Sequence, residues 1–171
     1  MPGFRRKIMN NEWTSFTQRI TINATTRSIY DAWVKPENLE KWFLSSALFT
    51  TSDKLPREQD GRVKVGDTYR WMWHGYPESV IETGTVLEAN GHNRIRFTFT
   101  DDCIVSVAIN VENGERVVEL TQNRIPPDEQ LRIYLDCSKG WMFYLVNLKS
   151  MLEGGIDLRN KNRKIPNVVN A

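Results

Sequence analysis

The chain is poor in the residues that most simple chemistries require. It has two histidines and two cysteines in 171 residues. His74 and His92 lie far apart with no carboxylate pattern near either, so they suggest surface histidines, not a zinc site or a Ser-His-Asp arrangement. Cys103 and Cys137 lack CxxC or Cys/His spacing. Two reduced thiols are therefore expected, not a disulfide or a metal site. GxSxG, P-loop and GxGxxG motifs are missing as well. No uncharged run approaches the ~18 residues of a membrane span, and no early apolar run follows Arg5-Arg6-Lys7 to make a signal peptide. A cytoplasmic location follows by default. Net charge is only +2, too small to make nucleic acid or an anionic membrane the main partner. The sequence assigns no catalytic residue, no metal and no cofactor.

The charge that is present is uneven. Residues 1–12 carry +2 and residues 154–171 carry +3, which leaves −3 for residues 13–153. The basic excess lies in Arg5, Arg6 and Lys7 at one end and Arg159, Lys161, Arg163 and Lys164 at the other. Both ends read as solvated tails. The expected organisation is a tail over 1–15, one folded domain over 16–153, and a basic tail over 154–171.

Apolar material is plentiful: 40% of residues are hydrophobic and 11% aromatic, with six Trp. That is enough to build a core. Phe16 to Ala24 alternates, with Phe16, Gln18, Ile20 and Ile22 on one side, as a strand with one buried face does. Thr25 or Thr26 can cap a following helix, in which Ile29, Ala32 and Trp33 share a face. Pro36 interrupts that helix and suits the first turn of another over Glu37–Phe43, with Leu39, Trp42 and Phe43 aligned. Residues 50–62 are polar and read as a loop.

From Val63 to Asn123 the pattern is strand after strand. Tyr69, Trp71 and Trp73 alternate with Arg70, Met72 and His74; Thr83–Glu88, Arg94–Thr100, Cys103–Val111 and Arg116–Gln122 follow. Turn residues separate them at Gly75-Tyr76-Pro77, Asn90-Gly91, Asp101-Asp102 and Asn113-Gly114. Such short connections make an antiparallel meander. Pro126-Pro127 ends the last strand, and Ser138–Glu153 is predicted as a helix whose stripe is Trp141, Leu145, Leu148 and Leu152, stopped by Gly154-Gly155.

This order implies a curled sheet. One helix is about 10 Å wide, whereas six or seven strands at about 4.8 Å spacing span about 30 Å. A single long helix covers such a sheet only if the sheet wraps around it, with the two short helices closing one end. The aromatics on the inward faces, Trp71, Trp73, Phe97, Phe99 and Trp141, either fill the space so enclosed or line it.

Three groups of residues give the chain a familiar look: Ile22-Asn23-Ala24, Ile29-Tyr30-Asp31-Ala32-Trp33, and Pro36-Glu37-Asn38-Leu39-Glu40-Lys41-Trp42. Later marks follow in order: Val65-Gly66-Asp67-Thr68-Tyr69-Arg70-Trp71, Gly84-Thr85-Val86-Leu87-Glu88, and Gly140-Trp141 with Leu145, Leu148, Leu152 and Glu153. Together they resemble the activator of heat-shock-protein-90 ATPase homologue-like family of the START-like (SRPBCC) superfamily, over roughly residues 16–153. One position departs: the family usually carries a second glycine where this chain has Asp67, with little effect on the fold expected. The tails and residues 50–62 match nothing in the family pattern.

The resemblance implies an α+β helix-grip fold of the START/Bet v type, with a curved antiparallel sheet of six or seven strands around a long C-terminal helix and two short helices after the first strand. It also implies an apolar pocket able to hold a lipid-like or polycyclic molecule, and it fixes no single activity. The expected function is non-enzymatic binding of an apolar small molecule. The candidate lining residues are Trp71, Trp73, Phe97, Phe99, Val105, Val107, Leu120, Gln122, Trp141 and Leu145, with access between loop 50–62 and the closing helix. Gln122, which shares parity with Val118 and Leu120, either meets the polar end of a ligand or lies in water. Alternatives are a co-chaperone-like interaction module and a small cyclase or dehydratase-type enzyme. The enzyme would need Glu82 or Glu119 buried as a general acid, and on parity Glu119 points away. A chaperone or other protein partner and a homodimer through a sheet edge both fit the resemblance and the exposed edges.

Overall fold

The computed structural model describes residues 13–165 together with 168 and 169. The basic run Arg5-Arg6-Lys7 lies outside the described residues. The chain runs β1 (Phe16–Thr21), α1 (Thr26–Val34), α2 (Pro36–Trp42), β2 (Ser46–Thr50), β3 (Thr68–Met72), β4 (Glu82–Ala89), β5 (Arg94–Phe99), β6 (Cys103–Glu112), β7 (Glu115–Asn123) and α3 (Gln130–Leu152). The strands form one seven-stranded sheet in the order β1-β7-β6-β5-β4-β3-β2, with every neighbouring pair antiparallel. β1 and β2 are the two edges, so α1 and α2 carry the chain from one edge to the other. This is the helix-grip architecture.

Local chemistry sets these boundaries. Thr25 caps α1, its hydroxyl accepting from the Ser28 amide at 3.0 Å. Pro36 sits in the first turn of α2, where its missing N–H is no loss. Asn113 and Gly114, both at positive φ, make the tight β6–β7 turn. A register shift between Val86 and Glu88 bends β4 against β5, as a bulge does, and helps the sheet curl toward α3.

Gly84 is required by a close approach. It pairs with Tyr69 across β3 and β4, and the Tyr69 hydroxyl reaches over it to donate to the Thr98 carbonyl on β5 at 2.5 Å. A Cβ at this position would lie 2.4 Å from that hydroxyl and 2.6 Å from the Thr98 oxygen.

Four features differ from the sequence expectation. First, β2 is an additional strand, paired residue for residue with β3; Ala47 and Phe49 are its buried positions, too few to show a periodicity. Second, α3 begins at Gln130, eight residues earlier than predicted, directly after the turn Pro127–Glu129. Third, Val111 does not share the burial of Val105, Val107 and Ile109 and is 64% exposed, because the β6–β7 hairpin runs out past the core.

Fourth, the segment after Gly155 is not a solvated tail as far as Arg159. The Arg159 guanidinium is buried and donates to the carbonyls of Leu44 at 2.9 Å and Lys41 at 2.7 Å. It also donates to Glu40 at 3.1 Å and to both carboxylate oxygens of Asp157. Asn147 on α3 donates to the Trp42 carbonyl at 2.7 Å and accepts from the Leu158 amide. Arg159 and Asn147 therefore satisfy the carbonyls that the end of α2 leaves without helical partners.

The loop between β2 and β3 is also pinned. Asp67 is 1% exposed; it pairs with Arg57 through two hydrogen bonds and accepts from the Lys64 amide at 2.9 Å. Asp67 thus anchors the loop between β2 and β3.

Candidate functional site

A cavity of about 390 Å³ opens between the sheet and the N-terminal half of α3. Its walls come from four places: Phe43 after α2; Trp73, Tyr76, Val80 and Glu82 from the β3–β4 connection and the start of β4; Phe99 and Thr100 at the end of β5; and Arg132, Ile133, Asp136, Cys137, Gly140, Trp141 and Tyr144 on α3. On α3 the residues Ile133, Cys137, Trp141 and Tyr144 follow helical spacing and face inward. The space exists because that face alternates large and small groups: Gly140 has no side chain, and nothing lies within 4 Å of where its Cβ would stand.

The aromatic walls are tied together. Phe43 packs edge-on against Trp73 and Tyr144, with ring centroids 5.9 and 4.8 Å apart, and lies 5.1 Å from Trp141. Trp141 in turn lies 5.2 Å from Phe99. Such offset and edge contacts hold rings in place beyond the area they bury.

Trp73, Phe99 and Trp141, three of the sequence candidates, line this cavity. Trp71, Phe97, Val105, Val107, Leu120 and Leu145 are buried in the core beside it and are not among its walls. Trp71 stacks on Tyr69 with centroids 3.8 Å apart, filling the sheet side of that core.

Gln122 is fully buried, so it does not meet water at the strand end. Its Oε1 accepts from Trp141 Nε1 at 2.9 Å, which fixes the indole at the cavity wall. Burial pushes the Cys103 thiol up and the Cys137 thiol to about 11, with the Gln122 amide opposing both shifts. Both cysteines are free.

Access to the cavity also differs from expectation. Loop 50–62 is held elsewhere: Glu37 donates to Gln59, Val63 donates to Val34, and Arg57 is paired with Asp67. The mouth is instead bordered by the β3–β4 connection, where Tyr76 and Val80 are partly exposed.

Among the ionisable candidates, Glu82 lies in the wall. Thr100 donates to it twice, from its amide at 2.8 Å and its hydroxyl at 3.3 Å. Burial raises the Glu82 pKa against the pull of these two bonds. Glu119 lies on the outer face, paired with Arg19 at 3.1 Å. His74 is half-buried just beyond β3, its pKa lowered by burial and then by Arg159 and Lys161, and His92 is exposed. Among the described residues no group of three or more His, Cys, Asp or Glu could hold a metal ion, and no helix is long and apolar enough to cross a membrane.

The sequence reading did not single out Phe43, Ile133, Cys137 or Tyr144 as cavity residues. For α3 the signal was present, since Ile133, Cys137 and Trp141 recur every fourth residue back into the segment left unassigned.

A family model described as Activator of Hsp90 ATPase homolog 1-like protein matches residues 23–153. No curated protein matches the chain. Among solved structures, a Staphylococcus saprophyticus protein superposes with a TM-score of 0.67 at 18% identity, covering 85% of this chain and 96% of its own. The Aha1 dimer from Colwellia psychrerythraea, a solution structure, gives 0.63 at 18% identity, covering 82% and 97%. A Chromobacterium violaceum protein gives 0.58 at 21% identity, covering 82% and 98%. At these identities the likeness is one of fold.

Proposed function

This chain belongs to the Activator of Hsp90 ATPase homolog 1-like family, and we propose that it is a non-enzymatic module that binds an apolar small molecule in the cavity beside α3. The observation that carries this reading is the aromatic enclosure of Phe43, Trp73, Phe99, Trp141 and Tyr144 around about 390 Å³, a volume within the usual range of small-molecule sites. The drive is removal of apolar surface from water, worth roughly 25 cal/mol per Å² before the losses of association. Glu82 is half-buried in the wall while Asp136 and Arg132 lie exposed, and the aromatic lining favours binding over catalysis. The two free thiols fit a reducing, cytoplasmic setting.

Native mass spectrometry of the purified protein beside a denatured sample tests this. A mass excess lost on denaturation supports it and begins to name the ligand. Gly140→Leu, which places a side chain in the wall, is expected to abolish the excess while keeping the fold. A retained excess in that variant would move the site elsewhere.

A second reading rests on the outer face of α3. Leu131, Leu135, Met142 and Val146 are exposed there at helical spacing, an apolar stripe of the kind that marks an interaction surface. A second copy of this chain suits it, as does a protein partner such as the chaperone in the family's description. A monomer in analytical ultracentrifugation, with no pull-down of the chaperone and no effect on its ATPase, would remove this reading.

A further inference from the structure

We infer that the cavity selects a hydrophobic organic cation, an aromatic amine in its ammonium form, over neutral or anionic molecules of the same shape. This rests on the cavity being the ligand site and adds the charge of its guest.

The argument starts from Glu82. Its carboxylate is held by two donors from Thr100, and among the described residues no cation pairs with it. Burial disfavours its charge. A half-buried carboxylate without a counter-ion is an unfavourable thing to build unless something else supplies the positive charge.

The other charges at the wall do not supply it. Asp136 adds a second negative group at the rim. Arg132 is turned to Glu129, its Nε 2.7 Å from that carboxylate, and its guanidinium is mostly in solvent. Asp101, in the turn after β5, lies near enough to raise Glu82 further. Arg132 also feels Asp136 and Asp101, so Glu82 is the acid of the wall left without a cation of its own.

The aromatic faces point the same way. Trp73, Phe99, Trp141 and Phe43 line the space beside Glu82, and a cation seated over the face of any of these rings is attracted through the ring quadrupole, most strongly where water is displaced. A neutral apolar guest would use the walls and leave Glu82 without a partner. A carboxylate guest would meet Glu82 and Asp136 with the wrong sign.

The test is calorimetric titration of the purified protein with three near-isosteres: 1-naphthylmethylammonium, 1-naphthylmethanol and 1-naphthoate. The ammonium is expected to bind at least tenfold tighter than the alcohol, with the naphthoate weakest. Glu82→Gln should bring the ammonium-to-alcohol ratio close to one. Equal or tighter binding of the alcohol or the naphthoate to the wild-type protein overturns the inference and leaves the cavity as a ligand site. An unchanged ratio in a folded Glu82→Gln variant overturns it too. Failure of all three probes, with no retained molecule in native mass spectrometry, would sink both this inference and the reading it rests on.

Discussion

Arg159→Met tests whether the C-terminal segment is part of the folded unit. The substitution keeps an apolar stem of similar reach and removes the guanidinium. Three backbone carbonyls, those of Glu40, Lys41 and Leu44, lose their donor, and Asp157 loses the partner that grips both its oxygens. The Arg159 side chain is only 1% exposed, so water cannot step in without opening the packing. Breaking a buried, hydrogen-bonded pair from one side costs about 3–5 kcal/mol, against a total stability of roughly 5–15 kcal/mol for a domain. At about 2–4 °C per kcal/mol for a chain of this size, the melting temperature should fall by roughly 10 °C. Urea unfolding followed by tryptophan fluorescence measures the free energy, and calorimetry the temperature. Lys164→Ala is the control: the residue is exposed, and a change within about 0.5 kcal/mol is expected. An Arg159→Met variant as stable as that control would refute the reasoning and return the segment to the status of a tail.

Three further outcomes follow from the same structure. Burial alone would raise the Asp157 pKa, but hydrogen bonds from Arg159 and Lys161 hold it below the usual carboxylate range. Its stabilising contribution is therefore present above the unfolded carboxylate pKa near ~3.9 and is lost as pH falls through the lower folded value. Asp157→Asn should flatten the acid limb of the stability–pH curve below about pH 4, and an unaltered limb would contradict the assignment. Gly84→Ala should destabilise by at least ~2 kcal/mol, because its methyl group displaces the Tyr69 hydroxyl from the Thr98 carbonyl. Adding Tyr69→Phe should recover only part of that loss in chemical denaturation, and full recovery would mean that the Thr98 backbone does not limit the space. Cys137, with its thiol pushed to about 11, should react with iodoacetamide at pH 8 roughly a hundredfold more slowly than an exposed cysteine of pKa ~8.5. Mass spectrometry of the labelled peptide reads this rate, and alkylation at the rate of an exposed thiol would rule out the buried setting.

The sheet, the two short helices and the grip of α3 were legible because their signals are periodic. Phe97 and Leu120 alternate with polar neighbours, Val105, Val107 and Ile109 recur at every second position, and Leu145 and Leu148 recur on one helical face. The turns were legible because only a few residues tolerate their backbone angles, as at Asn113-Gly114. β2 escaped because a five-residue strand between a helix and a long loop has too few positions to show a period. The role of Arg159 escaped for a different reason. A basic residue near a chain end reads as solvated unless something buried needs its charge, and the carbonyls that need it belong to residues more than a hundred positions earlier. Arg57 and Asp67 pose the same difficulty, since neither residue type announces a buried partner.

The sequence placed aromatics on the inner face but left open whether they fill that space or line it; the structure divides them along α3. Toward its C-terminal half, Leu145 and Leu148 are buried in the same core as Val105, Leu120 and Phe97, and the space is filled. Toward its N-terminal half, Cys137 and Gly140 leave room between Ile133, Trp141 and Tyr144. Trp141 stands at the division, its indole N–H held by Gln122 on β7, so one polar contact between sheet and helix fixes where packing stops and cavity begins. A strand residue with hydrophobic parity and a polar side chain marks that place in the sequence. What it could not disclose is its partner, because Gln122 and Trp141 lie 19 residues apart on different elements and meet only when the helix packs on the sheet. The cavity therefore lies where Gly140 and Cys137 leave room on the helix and the rings of Phe43, Trp73, Phe99, Trp141 and Tyr144 close around it.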